Sequence, residues 1–135
     1  MNCMYIEQAL ELHKRKFNCC QSVLCAFSEN LGIDESLLFK IAEGFGAGMG
    51  NTEGPCGALT AVIILAGLII SDGNMIAPGT KKLTYALSTD IVQEFKNKVG
   101  YTNCCDIKNK SGYSCNECIE IATEIAENII KRRKI

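Results

Sequence analysis

The sequence has little excess charge of either sign and lacks an apolar run long enough to cross a membrane. Its 14 basic and 15 acidic residues give a net charge of -1, which provides no electrostatic attraction to nucleic acid or to anionic lipid. The main apolar run, residues 57–70, is shorter than the roughly 20 residues that span a bilayer. These absences argue against nucleic-acid binding and membrane insertion, and they indicate a soluble protein.

Strand patterns are also nearly absent, and no internal repeat or interdomain linker is visible. Apolar residues instead recur at helical spacing, which predicts a single all-α domain over residues 1–135, a compact bundle of about five to six helices. A helix that is apolar on all sides is typical of the buried centre of a bundle, and residues 55–70 fit that description. We predict helices over about residues 5–16, 19–30, 34–43, 55–70, 82–98 and 115–132.

The N-terminal residues lack the basic and apolar regions of a secretory signal. We therefore expect a cytoplasmic location, where thiols are kept reduced. The chain nevertheless has nine cysteines, an odd number that leaves at least one unpaired in any monomeric set of disulfides. So many reduced cysteines indicate redox chemistry or metal binding rather than structural disulfides.

Four cysteines share a position at the predicted start of a helix. Each follows a residue that favours a helix start, which is asparagine, serine or proline. Gln21 and Glu117 complete capping-box patterns around the first and the last of them. The four are Cys19, Cys56, Cys104 and Cys115.

The start of a helix has unpaired N–H groups and a partial positive charge, so it favours the thiolate over the thiol and lowers the cysteine pKa. Thiolate is both the nucleophile and the metal ligand. We predict that the four thiols converge on one site, either as catalytic groups or as metal ligands. Cys56 is predicted to be the most reactive, because Pro55 sets it at the start of the apolar helix.

The other five cysteines are predicted to act as small apolar side chains. Cys20 and Cys105 directly follow a site cysteine, and neighbouring side chains on a helix diverge by about 100°. Cys118 lies on the apolar stripe of the last helix, which favours core packing, although its CxxC spacing from Cys115 is known from redox and ligand sites. The remaining two are Cys3 and Cys25.

A glycine-rich segment, GFGAGMG, occupies residues 44–50 ahead of Cys56. A dinucleotide fingerprint would follow a strand, and a P-loop would continue with a lysine, so neither motif fits. The glycines are instead predicted to allow unusual φ values or close backbone packing. We assign to the cofactor-binding part of the site Gly46, Gly48, Gly50 and Gly57.

His13 is the single histidine of the chain. It falls on or near the inner stripe of the first helix, which favours a structural role. A cysteine–histidine pair would require it to meet Cys19 or Cys56 in space, which a sequence does not reveal.

These motifs resemble a family of small redox-active proteins named for its C_GCAxxG_C_C pattern. Residues 18–23 are similar to the family's NCxQxV start, and residues 44–50 are similar to its GFGGGMG segment. Residues 56–61 resemble its CGAxxG motif, with Ala61 in place of the last glycine. Cys104 and Cys115 match its two C-terminal cysteine positions. The resemblance covers about residues 5–130 and implies redox activity at the four cysteines.

The leading hypothesis is a thiol-based redox protein that exchanges disulfides or transfers electrons with a partner protein or a small thiol. The main alternative is an iron–sulfur or other metal cluster with the same four cysteines as ligands. An all-thiolate zinc site and a purely structural bundle are further alternatives. The exposed faces of a bundle would also allow a homodimer.

Overall fold

The computed structural model describes residues 4–133 and confirms an all-α fold. Cys3 lies outside the described residues. A single turn of 3₁₀ helix covers Glu43–Phe45, and a π-helical turn covers Ile107–Ser111. The α-helical segments in chain order are α1 (Met4–Lys14), α2 (Cys19–Cys25), α3 (Ser28–Leu31), α4 (Glu35–Ala42), α5 (Gly46–Met49), α6 (Gly57–Ile70), α7 (Lys81–Val99), α8 (Cys104–Asp106) and α9 (Cys115–Arg133).

The predicted helices correspond to the longer observed ones, with two differences that matter. The predicted helix over residues 19–30 is divided into α2 and α3, and α3 ends at Gly32 in the left-handed conformation, with a φ of 65°. The predicted helix over residues 55–70 begins later, at Gly57. Pro55 pairs with Asn103 in an antiparallel bridge, so the chain is extended there, and Cys56 is the N-cap of α6 rather than a residue inside its first turn.

Helix α6 lies at the centre of the bundle, where it packs against α2, α7 and α9. Ala61 and Val62 are fully buried, whereas Leu68 near the other end is 37% exposed. Helix α1 packs against α9 and α2, and α4 packs against α2. The prediction of a buried central helix is therefore correct for α6 as far as Ala66, which is also fully buried.

The start of α6 approaches α2 at a distance that only glycine allows. A Cβ atom added at Gly57 would lie 2.5 Å from Sγ of Cys19 and 2.9 Å from the carbonyl oxygen of Phe45. Real Cβ atoms do not come that close to sulfur or oxygen, because dispersion contacts are best at about 3.5–4.0 Å. The missing side chain at Gly57 therefore brings the N-terminal ends of α2 and α6 together.

Between residues 4 and 133, no helix is both long and apolar enough to span a membrane. Several large apolar side chains are nevertheless exposed on α7 and on the loop before it. Met75 and Ile76 are almost fully exposed, and Leu83 and Tyr85 are each more than half exposed. The homodimer expected from the sequence stays a prediction.

We expect Gly57→Ala to lower the free energy of unfolding by about 1–3 kcal/mol, because the new methyl group overpacks the contact with Cys19. Gly67→Ala is the matched control in the same helix, since nothing lies within 4 Å of a Cβ placed there. That control should be neutral or stabilising by up to about 1 kcal/mol. Urea unfolding followed by circular dichroism measures both. Equal effects of the two substitutions would contradict the close approach of α2 and α6.

Candidate functional site

A cavity of about 170 Å³ brings five cysteines together. All four cysteines that the sequence assigned to the site line this cavity, and Cys118 lines it as well. The five differ in exposure, from Cys115, which is exposed, to Cys118, which is 2% exposed. The other lining residues are His13, Asn18, Ala47, Ile107, Lys108 and Tyr113.

Two capping boxes position the first and the last of the predicted cysteines. The side-chain oxygen of Asn18 accepts from the N–H of Gln21 at 2.9 Å, and that of Gln21 accepts from the N–H of Asn18 at 2.9 Å. Ser114 and Glu117 make the same reciprocal pair, at 3.0 and 3.1 Å. The cysteine after each cap is therefore the first residue of its helix, α2 or α9, as predicted.

Backbone hydrogen bonds between two loops hold the other two predicted cysteines. The N–H of Cys56 donates to the carbonyl oxygen of Thr102 at 2.7 Å, and the N–H of Cys104 donates to that of Gly54 at 2.9 Å. Cys104 is the first residue of α8, as predicted, although the side chain of Asn103 makes no capping hydrogen bond. The two loops thus fix Cys56 and Cys104 relative to each other.

The glycine-rich segment contains a left-handed turn. The φ values are 54° at Ala47, 63° at Gly48, 65° at Met49 and 80° at Gly50. The N–H of Gly50 donates to the carbonyl oxygen of Gly46 at 2.9 Å and closes the turn. A left-handed conformation costs a residue with a side chain about 1–2 kcal/mol. The prediction of unusual φ values in this segment is confirmed.

Glycines of this segment lie close to neighbouring side chains, and they do not line the cavity. A Cβ at Gly48 would lie 2.5 Å from the Cβ of Cys104, and one at Gly46 would overlap the side chain of Asn18. The observed role of Gly46 and Gly48 is therefore to admit neighbouring side chains at close range. The cavity lining includes none of the four glycines that the sequence assigned to cofactor binding, Gly46, Gly48, Gly50 and Gly57.

Three of the thiols that line the cavity are hydrogen-bonded neighbours. The thiol of Cys56 lies between those of Cys19, which is half-buried, and Cys118, which is buried. Cys56 is 7% exposed. The chain of thiols joins the N-terminal ends of α2, α6 and α9.

Neighbouring thiols and burial raise the pKa of the inner cysteines. The hydrogen bond to Cys118, together with burial, raises the pKa of Cys56 to about 12, against an opposing hydrogen bond from Cys19. The hydrogen bond to Cys56 and burial also raise the pKa of Cys19. Burial raises the pKa of Cys104, and the positive charge of Lys108 offsets part of that effect.

The expectation that these helix starts lower the pKa of Cys19, Cys56 and Cys104 is therefore wrong. A helix N-terminus stabilises a nearby anion by about 0.3–1 kcal/mol. Removing a thiolate from water costs more than that, and each hydrogen bond donated by a thiol favours its protonated form. Cys19, Cys56 and Cys104 are thus protonated thiols at neutral pH.

The cysteines that were expected to pack as apolar side chains mostly do so. Cys20 and Cys25 are fully buried, and Cys25 donates a hydrogen bond to the carbonyl oxygen of Glu35 at 3.7 Å. Cys105 is half-buried, and its N–H donates to the carbonyl oxygen of Thr52 at 2.8 Å. These three cysteines lie outside the cavity lining.

In the described part of the chain, no three His, Cys, Asp or Glu side chains are placed to hold one metal ion. The predicted metal ligands are Cys19, Cys56, Cys104 and Cys115. They share a cavity, but as they stand they do not form a ligand set.

Sequence reasoning assigned two cavity residues to structural roles. Cys118 is buried, as predicted, but it also lines the cavity and contacts Cys56. The CxxC spacing between Cys115 and Cys118 was the feature of the sequence that indicated a place at the site. The Nδ1 atom of His13 is 2.9 Å from the side-chain oxygen of Asn116, a contact between residues 103 positions apart that no local pattern could reveal.

A family model described as "Putative redox-active protein (C_GCAxxG_C_C)" matches residues 17–129. The chain belongs to this family. The resemblance of the cysteine and glycine motifs is thereby confirmed, and membership of the C_GCAxxG_C_C family supports a general redox role. The matched range begins after α1, so His13 lies outside it. No curated protein and no solved structure shows a significant match to the chain.

We expect alkylation of Cys56 in the folded protein to accelerate about tenfold per pH unit from pH 6 to 9 without levelling off, because only the thiolate reacts. The reason is its pKa of about 12, against 9.0 for an unperturbed thiol. Iodoacetamide labelling with peptide mass spectrometry measures the rate.

The same protein in urea is the control, and its labelling should level off near the ordinary thiol pKa. Above that pKa the unfolded thiol ionises first, so the stability contributed by the Cys56 thiol is complete below pH 9.0 and is lost as the pH approaches 12. A folded-state rate that levels off below pH 8 would contradict the raised pKa.

Proposed function

We propose that this protein is a thiol–disulfide redox protein in which Cys19 and Cys56 form the reversible disulfide. The observation that carries the proposal is that these two thiols line one cavity and interact with each other at the starts of α2 and α6. A disulfide needs its sulfur atoms about 2 Å apart, and hydrogen-bonded thiols are already neighbours. Both residues are free thiols, as are the other cysteines between residues 4 and 133.

Access to this pair is through the cavity. Cys56 is too buried to meet a large disulfide, whereas Cys115 is exposed and lines the same cavity. Exchange begins when a thiolate attacks a disulfide and forms a mixed disulfide. We assign that first attack to Cys115. Cys104 is 8% exposed in the same lining, and it completes the set of four cysteines as a neighbour of the reacting thiols.

A protonated thiol needs a proton acceptor before it can attack. His13 lines the cavity, and its Nδ1 atom is hydrogen-bonded to the side-chain oxygen of Asn116. Since that oxygen only accepts, Nδ1 is the donor of this contact, and Nε2 is the ring nitrogen that remains available to take a proton. We assign to His13 the removal of the proton from an attacking thiol.

The cluster alternative requires four thiolates to bind one group of metal atoms, and each ligand would have to lose its proton. The raised pKa values of Cys19, Cys56 and Cys104 oppose that loss. Within residues 4–133, the side chains also show no grouping that would hold a single metal ion. The raised pKa values favour exchange between protonated thiols, and the metal analysis below decides between exchange and a cluster.

The test is to purify the protein without oxygen, measure its metal content and then oxidise it with oxidised glutathione. We expect a colourless, metal-free protein in which a Cys19–Cys56 disulfide forms, as mapped by peptide mass spectrometry. Cys19→Ala should abolish that disulfide, and His13→Gln should slow its formation by about a hundredfold, which is the usual contribution of a general base.

Cys25→Ala is the matched control, because Cys25 is buried in the same bundle but lies outside the cavity. This substitution should change neither which cysteines form the disulfide nor the rate at which it forms. A brown protein that contains iron and inorganic sulfide would overturn the proposal in favour of the cluster. Equal damage from Cys25→Ala would show that the cavity is not the reactive site.

A further inference from the structure

Cys118 occupies the second position of a CxxC motif at the start of a helix. Cys115 is the first residue of α9 and is exposed, and Cys118 follows it one turn later and is 2% exposed. Both line the cavity. Side chains three residues apart on a helix face the same direction. One member of the pair is therefore accessible from outside, and the other lies at the inner wall.

The inner member is in contact with the disulfide-forming pair. The thiol of Cys56 is hydrogen-bonded to that of Cys118 and to that of Cys19. The sulfurs thus follow one order of contact, Cys115, Cys118, Cys56 and Cys19, which runs from exposed Cys115 through the buried Cys118 and Cys56 to half-buried Cys19. Cys104 also interacts with Cys115 and with Cys19, so it is the competing carrier that the test must exclude.

We propose that Cys118 is a catalytic thiol that carries oxidation from Cys115 to the Cys19–Cys56 pair. This inference rests on the proposed function, since it supplies the step by which a disulfide outside the cavity reaches Cys56, the buried member of the pair. It gives a chemical role to a cysteine beyond the four that match the C_GCAxxG_C_C pattern.

The relay consists of successive thiol–disulfide exchanges. Cys115 attacks a substrate disulfide, forms a mixed disulfide and releases one substrate thiol. Cys118 then attacks the sulfur of Cys115, which releases the second substrate thiol and leaves a Cys115–Cys118 disulfide. Cys56 attacks Cys118 and frees Cys115, and Cys19 attacks Cys56 and frees Cys118.

Atoms and electrons balance over the sequence. Cys19 and Cys56 each lose a proton, and together they lose two electrons as their sulfurs join. The substrate disulfide gains those electrons and protons and becomes two thiols. Cys115 and Cys118 end as thiols, as they began, so both act catalytically.

Geometry at the start of α9 permits the Cys115–Cys118 step. Cβ atoms three residues apart on a helix are about 5–6 Å apart, whereas a disulfide needs them at about 3.5–4.5 Å. The N–H groups of a first helical turn have no partners within the helix. Cys115 is the first residue, so it can shift by the required distance with little loss of helical hydrogen bonding.

The test uses dithiodipyridine, a small disulfide that releases a coloured thiol, in equimolar amount with the reduced protein. The unsubstituted protein should release both halves of the reagent and end with the Cys19–Cys56 disulfide. Cys118→Ala should release the first half at the normal rate and the second at least about tenfold more slowly, because Cys115 keeps the mixed disulfide. Stopped-flow absorbance measures the release of each half of the reagent. Peptide mapping after acid quench identifies the disulfide that forms.

Cys104→Ala is the informative comparison, since Cys104 is another buried cysteine of the cavity. A delay in Cys104→Ala but not in Cys118→Ala would assign the step to Cys104 and overturn the inference. Cys25→Ala is the neutral control, and its release should match that of the unsubstituted protein.

A second measurement does not depend on a variant that folds. Acid quench of the unsubstituted protein at short times should trap a Cys115–Cys118 disulfide before the Cys19–Cys56 disulfide appears. The relay passes through a Cys115–Cys118 and then a Cys56–Cys118 disulfide. If the Cys19–Cys56 disulfide appears and neither of these is trapped, the relay is overturned and the proposed function stays intact. Absence of any Cys19–Cys56 disulfide would overturn both.

Discussion

The arrangement of the site depends on the close approach of three helix starts around the sulfur of Cys56. This sulfur is hydrogen-bonded to Cys19 at the start of α2 and to Cys118 in the first turn of α9. Gly57 leaves space for Cys19, and Gly48 in its left-handed turn leaves space for Cys104. The glycine-rich segment therefore serves the packing of sulfur atoms, which explains its lack of phosphate-binding features.

The same close approach determines the protonation state of the thiols. Raising the pKa of Cys56 from 9.0 to about 12 corresponds to about 4 kcal/mol, which exceeds the effect of a helix terminus. Protonated thiols can donate hydrogen bonds to one another, whereas adjacent thiolates would repel. The interior of the site is thus stable in the reduced form and reacts only after a proton is removed. Exposed Cys115 and His13 line the same cavity, and the proposed function assigns that step to them.

Local signals in the sequence predicted a large part of this arrangement. The capping boxes around Cys19 and Cys115, the all-α fold and the convergence of four cysteines on one cavity follow from short patterns. The sequence placed Cys56 inside the first turn of the helix, whereas Cys56 is its N-cap. The bridge between Pro55 and Asn103 that causes this joins residues far apart in the chain. The sequence predicted a lowered pKa for the site cysteines, whereas burial and neighbouring thiols raise it for Cys19, Cys56 and Cys104. Burial is a property of the packed bundle, so no local pattern reveals it. His13 is close to the thiols only through packing of α1 against α9.

The central claim is that the inner thiols form one hydrogen-bonded chain, and infrared absorption of the S–H groups in the reduced protein tests it most directly. Hydrogen bonding lowers an S–H stretching frequency. Cys118→Ala removes the acceptor for Cys56, so the Cys56 band should move to higher frequency in addition to the loss of the Cys118 band. Cys25→Ala should remove only its own band, since Cys25 donates to the carbonyl oxygen of Glu35. Loss of a single band in Cys118→Ala, with the others unmoved, would contradict the chain.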